Sequence, residues 1–141
     1  MKKYSFSLSK VLRVRKIEEE QAAVRLAAAQ LVATAAATRA AESRHALAAR
    51  CARQGLQSSA AFLGWAETAM LAGEAFSDAK AEAVKADEEV EECRGEWSSA
   101  AARVSALEHL DERGRVAHTV ERRRDEAKTA DDIVNTRWER P

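Results

Sequence analysis

From Phe62 to Leu107, apolar or small residues recur at strictly alternating steps of three and four. The series is Phe62, Trp65, Ala69, Ala72, Phe76, Ala79, Ala83, Ala86, Val90, Cys93, Trp97, Ala100, Val104 and Leu107, fourteen positions without an exception. A repeat averaging 3.5 residues keeps one stripe of a helix turned toward a partner helix and winds the pair into a left-handed supercoil. The stripe passes Gly64 and Gly73 without a change of phase, so both glycines are expected inside the helix. Beyond Leu107 the phase is expected to break, because continuing it would place Asp111, Gly114, His118 and Asp125 in the seam. A shifted row of Leu110, Ala117, Val120, Ala127, Val134 and Trp138 stays apolar, with Arg113, Arg124 and Asp131 interleaved. The last stretch therefore reads as a helix with a thin apolar face.

The first half is also helical, since no Pro or Gly interrupts the chain before Gly55. Ser5 or Ser7 would serve as its N-cap. Two rows seven residues apart compete for the buried face. One is Ile17, Val24 and Leu31, continuing to Thr38 and His45. The other is Leu12, Leu26, Ala33, Ala40 and Leu47. Alanine fills much of the remainder, and the pattern leaves the register open. The segment Gln54-Gly-Leu-Gln-Ser-Ser59 reads as a C-cap, a short turn and a new N-cap. One structural unit is expected from the length, with helices over about 6–53 and 60–138 and a turn over about 54–59. The second helix would be roughly 120 Å long at ~1.5 Å per residue.

Charge shows how the two helices meet. Residues 1–53 carry 11 Lys/Arg and 4 Asp/Glu, net +7, whereas residues 54–92 carry 2 and 9, net −7. Residues 93–141 carry 10 of each. Folding the chain back at Gly55 lays a basic strip beside an acidic one that includes Glu88, Glu89, Glu91 and Glu92. Complementary flanking charges set partner and orientation in coiled coils. The predicted fold is all-α: two long helices in an antiparallel coiled-coil hairpin, with the final 25–30 residues or so outrunning the first helix. An unpaired helix of that kind is a place for another protein to bind.

Composition narrows the function. Alanine occupies 32 of 141 positions, with one Pro and five Gly, as expected of long helices and not of a β-fold or a disordered chain. Absence of an 18-residue apolar run argues against membrane insertion, and Arg13, Arg15 and Lys16 interrupt any signal-peptide core. The expected location is the cytoplasm, where Cys51 and Cys93 would be free thiols, tens of Å apart along a hairpin. Isolated glycines give no phosphate loop, the scattered His45, His109 and His118 give no metal spacing, and a two-helix rod gives a nucleophile no pocket. Enzyme activity, cofactors and metals are therefore not expected. Arg113, Arg115, Arg122, Arg123 and Arg124 cluster near one terminus and Lys2, Lys3, Lys10, Arg13, Arg15 and Lys16 near the other; a hairpin brings both groups to one end. Net charge zero and the lack of aromatic–basic interleaving disfavour nucleic acid. A solvated polar face is the first reading of these clusters, and a docking end for an acidic protein surface the second. Trp65 and Trp97 fall in the seam as core, while Trp138 in the unpaired tail reads as a contact residue.

Tyr4-x-Phe6-x-Leu8-x-x-Val11-Leu12-x-Val14-Arg15, followed by Glu18-Glu19, resembles the opening of the FliJ family of flagellar type III export proteins. Leu107-Glu108-x-Leu110-x-Glu112-Arg113 and Glu121-x-x-Arg124-x-Glu126-x-Lys128-x-x-Asp131-Asp132 extend the resemblance over nearly the whole chain. His118 stands where that family often has an aromatic residue. The resemblance implies a non-enzymatic, cytoplasmic part of the flagellar export machinery, peripherally associated with the inner-membrane apparatus. It implies a shape similar to the two-helix part of the stalk of rotary ATPases, and three partners: the hexameric export ATPase, the membrane export gate protein and export chaperones. The end carrying both termini would enter the ATPase ring and stimulate it. On that reading Leu8, Val11, Leu12 and Leu110 pack the ring-proximal end. Arg113, Arg115, Arg122, Arg123 and Arg124 meet carboxylates of the ring, and Trp138 adds a contact. The stalk of a virulence-type secretion system, or a scaffold homodimerising through the Phe62–Leu107 seam, are the alternatives.

Overall fold

The computed structural model describes residues 3–52, 55 and 58–138, with side chains to residue 136. Two helices make up the fold: α1, Ser9–Cys51, of 43 residues, and α2, Ser59–Trp138, of 80. The first α-helical hydrogen bond of α1 runs from the Leu12 N–H to the Leu8 carbonyl at 2.9 Å, and the Ser9 N–H bonds to the Phe6 carbonyl at 3.2 Å. The helix thus begins at Ser9, past the expected caps at Ser5 and Ser7, because a turn through Phe6 takes up the chain ahead of it. Between the helices Gly55 sits at φ +95°, in the left-handed region where a side chain is strained. Gln54, Leu56 and Gln57 of the expected turn lie outside the described residues. Ser58 caps α2 as expected: its Oγ accepts the Ala61 N–H at 3.1 Å, and its carbonyl accepts the Phe62 N–H at 3.0 Å. The Trp65 indole N–H donates to the Arg50 carbonyl at 2.7 Å, supplying a partner to one of the last carbonyls of α1. Gly64 and Gly73 lie inside α2.

Packing divides into two units. One comprises Glu20–Ser98; the other takes the chain up to Glu19 and from Ser99. Within Glu20–Ser98, α1 and α2 run antiparallel, as the ion pairs Arg25–Glu96 at 3.3 Å and Arg39–Glu82 at 3.7 Å show. The core is Ala29, Ala33, Ala36, Ala86 and Val90, with Leu26, Ala83 and Cys93 packed against it. Buried and half-buried positions of α1 follow steps of three and four through Ala22, Leu26, Ala29, Ala33, Ala36, Ala40, Ser43 and Leu47. This resolves the register of the first helix in favour of the Leu26–Leu47 row, and leaves Val24 and Leu31 in solvent. On α2 the anticipated seam holds from Trp65 to Cys93, but its first position, Phe62, is exposed and stacks beside Trp65 with ring centroids 5.6 Å apart. Interaxial distance follows side-chain size at the contact, so an alanine seam draws the helices close.

Charge pairing across this unit is narrower than expected. The interhelical pairs use Glu82 and Glu96, and Glu91 turns to Arg94 on its own helix. The expectation that Glu88, Glu89, Glu91 and Glu92 lie along a basic strip is not met. Between Leu26 and Thr38 the facing stretch of α1 has no charged residue.

In the other unit Ala100 and Val104 are buried, Leu12 and Leu107 are half-buried, and Lys16 Nζ meets Glu108 at 2.8 Å. No phase break follows Leu107. Asp111, Gly114 and His118 continue the seam as half-buried residues, while Leu110 of the shifted row is 48% exposed and Val120 and Val134 are also exposed. Every described side chain from Val120 to residue 136 is exposed.

Two substitutions test the seam. Ala36, 2% exposed, has no room to grow, so Ala36→Leu should cost about 1–3 kcal/mol through overpacking. Nothing lies within 4 Å of a Cβ added at Gly95, so Gly95→Ala should add about 0.5–1 kcal/mol through helix propensity. Thermal melts followed by circular dichroism should fall for the first and rise for the second.

Candidate functional site

The residues proposed for partner contact all belong to the unit that holds the chain up to Glu19 and from Ser99. Its organising feature was not foreseen. Tyr4, ahead of α1, reaches across to α2, where its hydroxyl lies 2.9 Å from Asp111 Oδ1 and 3.1 Å from the Asp111 carbonyl, shared between the two acceptors. The ring lies over Gly114, where an added Cβ would overlap the hydroxyl. Its other neighbour is the imidazole of His118, with centroids 5.7 Å apart and planes inclined by 56°. The seam positions that look wrong for a coiled coil, a carboxylate, a glycine and a histidine, are thus those that receive an aromatic ring from outside the helices. Continuing the Phe62–Leu107 period by three more steps was the signal that could have found them.

Asp111 is bonded at both oxygens, since Arg115 Nη2 donates to Oδ2 at 2.9 Å. The Arg115 hydrogen bond, aided by that from Tyr4, holds the Asp111 carboxyl below its ordinary range, against desolvation acting the other way. Desolvation and then the Asp111 hydrogen bond push the Tyr4 hydroxyl up. The Glu108 hydrogen bond raises Lys16. These groups are near the surface and position the chain more than they stabilise it.

The proposed contact residues divide by role. Leu12 is half-buried, whereas Leu8, Val11 and Leu110 expose 39%, 42% and 48% of their surface. Arg115 is committed to Asp111, and Arg122 Nε lies 3.5 Å from Glu126 on its own helix. Arg113, Arg123 and Arg124 are exposed. Trp138 ends α2, but its side chain lies outside the described residues. Residues 120–136 therefore present a solvated helix with three arginines in one turn, Arg122, Arg123 and Arg124, and small or β-branched residues such as Ala127, Ile133 and Val134. Chemically this is a surface for a protein carrying carboxylates and apolar side chains. Among the described residues no group of three or more His, Cys, Asp or Glu is placed to hold a metal ion. Among the described residues no helix is long and apolar enough to cross a membrane.

Compared with known proteins, the chain matches the family model described as "Flagellar FliJ protein" over residues 4–141. No curated protein and no solved structure matches it.

Tyr4 is the chain's one tyrosine, so its state can be read without ambiguity. Ultraviolet titration should place its ionisation above that of free tyrosine (~10), and Gly114→Ala, which leaves no room for the ring, should return it there. The contribution of Asp111 has the sign of a depressed acid. It is present above the unfolded value of ~3.9 and is lost as pH falls through the lower folded value. Tyr4 ring NMR shifts should accordingly hold from neutral pH to below 4 and collapse only in stronger acid, where a group titrating at the ordinary value would already have released the ring.

Proposed function

Because the chain belongs to the flagellar FliJ family and so is a component of the flagellar export apparatus, we propose that it serves as a stalk for the hexameric export ATPase, binding and stimulating it. On this reading it also links the ATPase to the membrane export gate and to export chaperones. It does so as a non-enzymatic, cytoplasmic protein held at the inner-membrane apparatus by its partners. The observation that carries the proposal is the unpaired C-terminal part of α2, exposed at every described side chain from Val120 to residue 136. A helix with no intramolecular partner leaves its apolar and cationic groups available to another chain.

Exposed charges contribute mainly to encounter and orientation, and apolar contacts to holding the complex. Arg122, Arg123 and Arg124 would steer the tail toward carboxylates lining the ring, with Arg113 beside them. Leu8, Val11 and Leu110, each partly in water, would pack once docked, and Trp138 would close the contact from the helix end. Leu12 and Arg115 support from behind: the first packs in the seam, and the second holds Asp111, which in turn holds Tyr4. The Tyr4 contact keeps the N-terminal segment against α2, so leucines from both ends of the chain share one unit.

The test is the steady-state ATP hydrolysis rate of the cognate export ATPase with and without this protein, at moderate and high salt. Stimulation should fall as salt screens the arginines. Replacing Arg122, Arg123 and Arg124 together by Glu should return the rate to that of the ATPase alone, with helicity by circular dichroism unchanged. Stimulation that survives the triple reversal would reject the assignment of these arginines.

A further inference from the structure

Within Glu20–Ser98 the usual distribution of large and small side chains is inverted on α1. There α1 buries its alanines and exposes its larger aliphatic side chains: Val24 is 69% and Leu31 74% in solvent. These two lie seven residues apart at the position farthest from α2, where a two-stranded coiled coil normally carries charge. The surrounding face is uncharged from Leu26 to Thr38. Its two threonines have turned their polar atoms inward, since the Thr34 and Thr38 hydroxyls donate to the carbonyls of Gln30 and Thr34. What remains toward water is an apolar helix face, of the kind that marks an interaction surface.

The face has its own heptad order. Gln21, Val24, Ala28, Leu31, Ala35 and Thr38 follow steps of three and four, which is a second coiled-coil seam, and its occupant is therefore a helix. The row is also self-complementary. Laid antiparallel on a copy of itself, Leu31 meets Ala28, Val24 meets Ala35 and Gln21 meets Thr38, and each pair is repeated by the two-fold axis. Large side chains fall opposite small ones, the arrangement that lets facing layers interdigitate.

The charges agree. Arg25–Glu96 and Arg39–Glu82 form an interhelical ladder with a seven-residue step, and its middle rung is Val32 facing Glu89. In the antiparallel pair Arg25 of one copy comes beside Val32 of the other, where it can reach the Glu89 that has no cation opposite it on its own α1.

We propose that this face of α1 is the interface of a homodimer, in which α1 packs antiparallel on α1 of a second copy to give a four-helix arrangement around Leu31 and Ala28. The proposal does not depend on the ATPase reading and uses none of the residues assigned to it.

Sedimentation of the full chain tests it. The weight-average mass should climb with concentration from 15.5 kDa toward twice that value, and Leu31→Glu, a change at an exposed position, should hold it at the monomer mass with helicity retained. Cysteine pairing then reads the register. In a background of Cys51→Ser and Cys93→Ala, an equimolar mixture of Ala28→Cys and Leu31→Cys chains should form the crosslinked dimer faster than either chain alone. A chain that stays monomeric at every concentration overturns the proposal. So does a dimer that survives Leu31→Glu, which would place the contact on another face, or a mixture that crosslinks no faster than its parts.

Discussion

The constraint on which the structure rests is that the only residues α1 fully buries, among those described, are alanines. The buried positions of α1 among the described residues are Ala22, Ala29, Ala33 and Ala36. A buried methylene is worth ~0.8 kcal/mol, against ~1.5–3 for a whole Val, Leu or Phe side chain, so each layer of such a seam contributes little. Stability must then come from the number of layers, and both helices are accordingly long and free of Pro. The larger buried residues, Val90 and Val104, both belong to α2, whereas α1 adds bulk only at half-buried positions such as Leu26 and Leu47.

The unit that holds both chain ends uses other chemistry. Tyr4 inserts a ring between Asp111, Gly114 and His118, each a residue with poor credentials as a hydrophobic knob. The glycine makes the space, the carboxylate receives the hydroxyl, and Arg115 on the next turn fixes the carboxylate. The N-terminal segment is thereby tied to α2 through hydrogen bonds that depend on one side chain's geometry, while the tail beyond Val120 is left unencumbered. For a member of a flagellar export family, this separates the part of the unit that is structurally engaged from the part that is open to another protein.

How much of this could be read in the sequence differs between the helices for a physical reason. In α2 the seam alternates aromatic, Val and Ala residues against a polar background, so its period is visible and holds from Trp65 to Cys93; Trp97, expected as core, is exposed, and the row is buried again at Ala100 and Val104. In α1 the alanines of the buried face are matched by alanines such as Ala23, Ala27 and Ala28 on exposed faces, and hydrophobicity no longer separates inside from outside. The conspicuous row, Ile17, Val24 and Leu31, was the exposed one; Leu12, Leu26 and Leu47, interleaved with alanines, marked the true face. At the other end the same reliance on hydrophobicity suggested a shift to Leu110 and Val120. It overlooked that a polar seam position is acceptable when a side chain from elsewhere satisfies it. The contact surface of the tail was legible only as charge and exposure, since nothing in the chain itself packs there.

Charge pairing completes the argument about specificity. The interhelical pairs among the described residues, Lys16–Glu108, Arg25–Glu96 and Arg39–Glu82, join side chains that are about half exposed or more. Such pairs are worth ~0–1 kcal/mol each, too little to hold two helices of this length together. What they do is select among registers that an alanine seam, nearly uniform along its length, would tolerate almost equally. A slip of one heptad preserves small-on-small packing but moves Arg25 and Arg39 away from their carboxylates. The seam therefore supplies proximity without discrimination and the flanking charges supply discrimination without much stability. Within the unit that holds both chain ends, Tyr4 adds a fixed point of its own, because an added Cβ at Gly114 would overlap its hydroxyl.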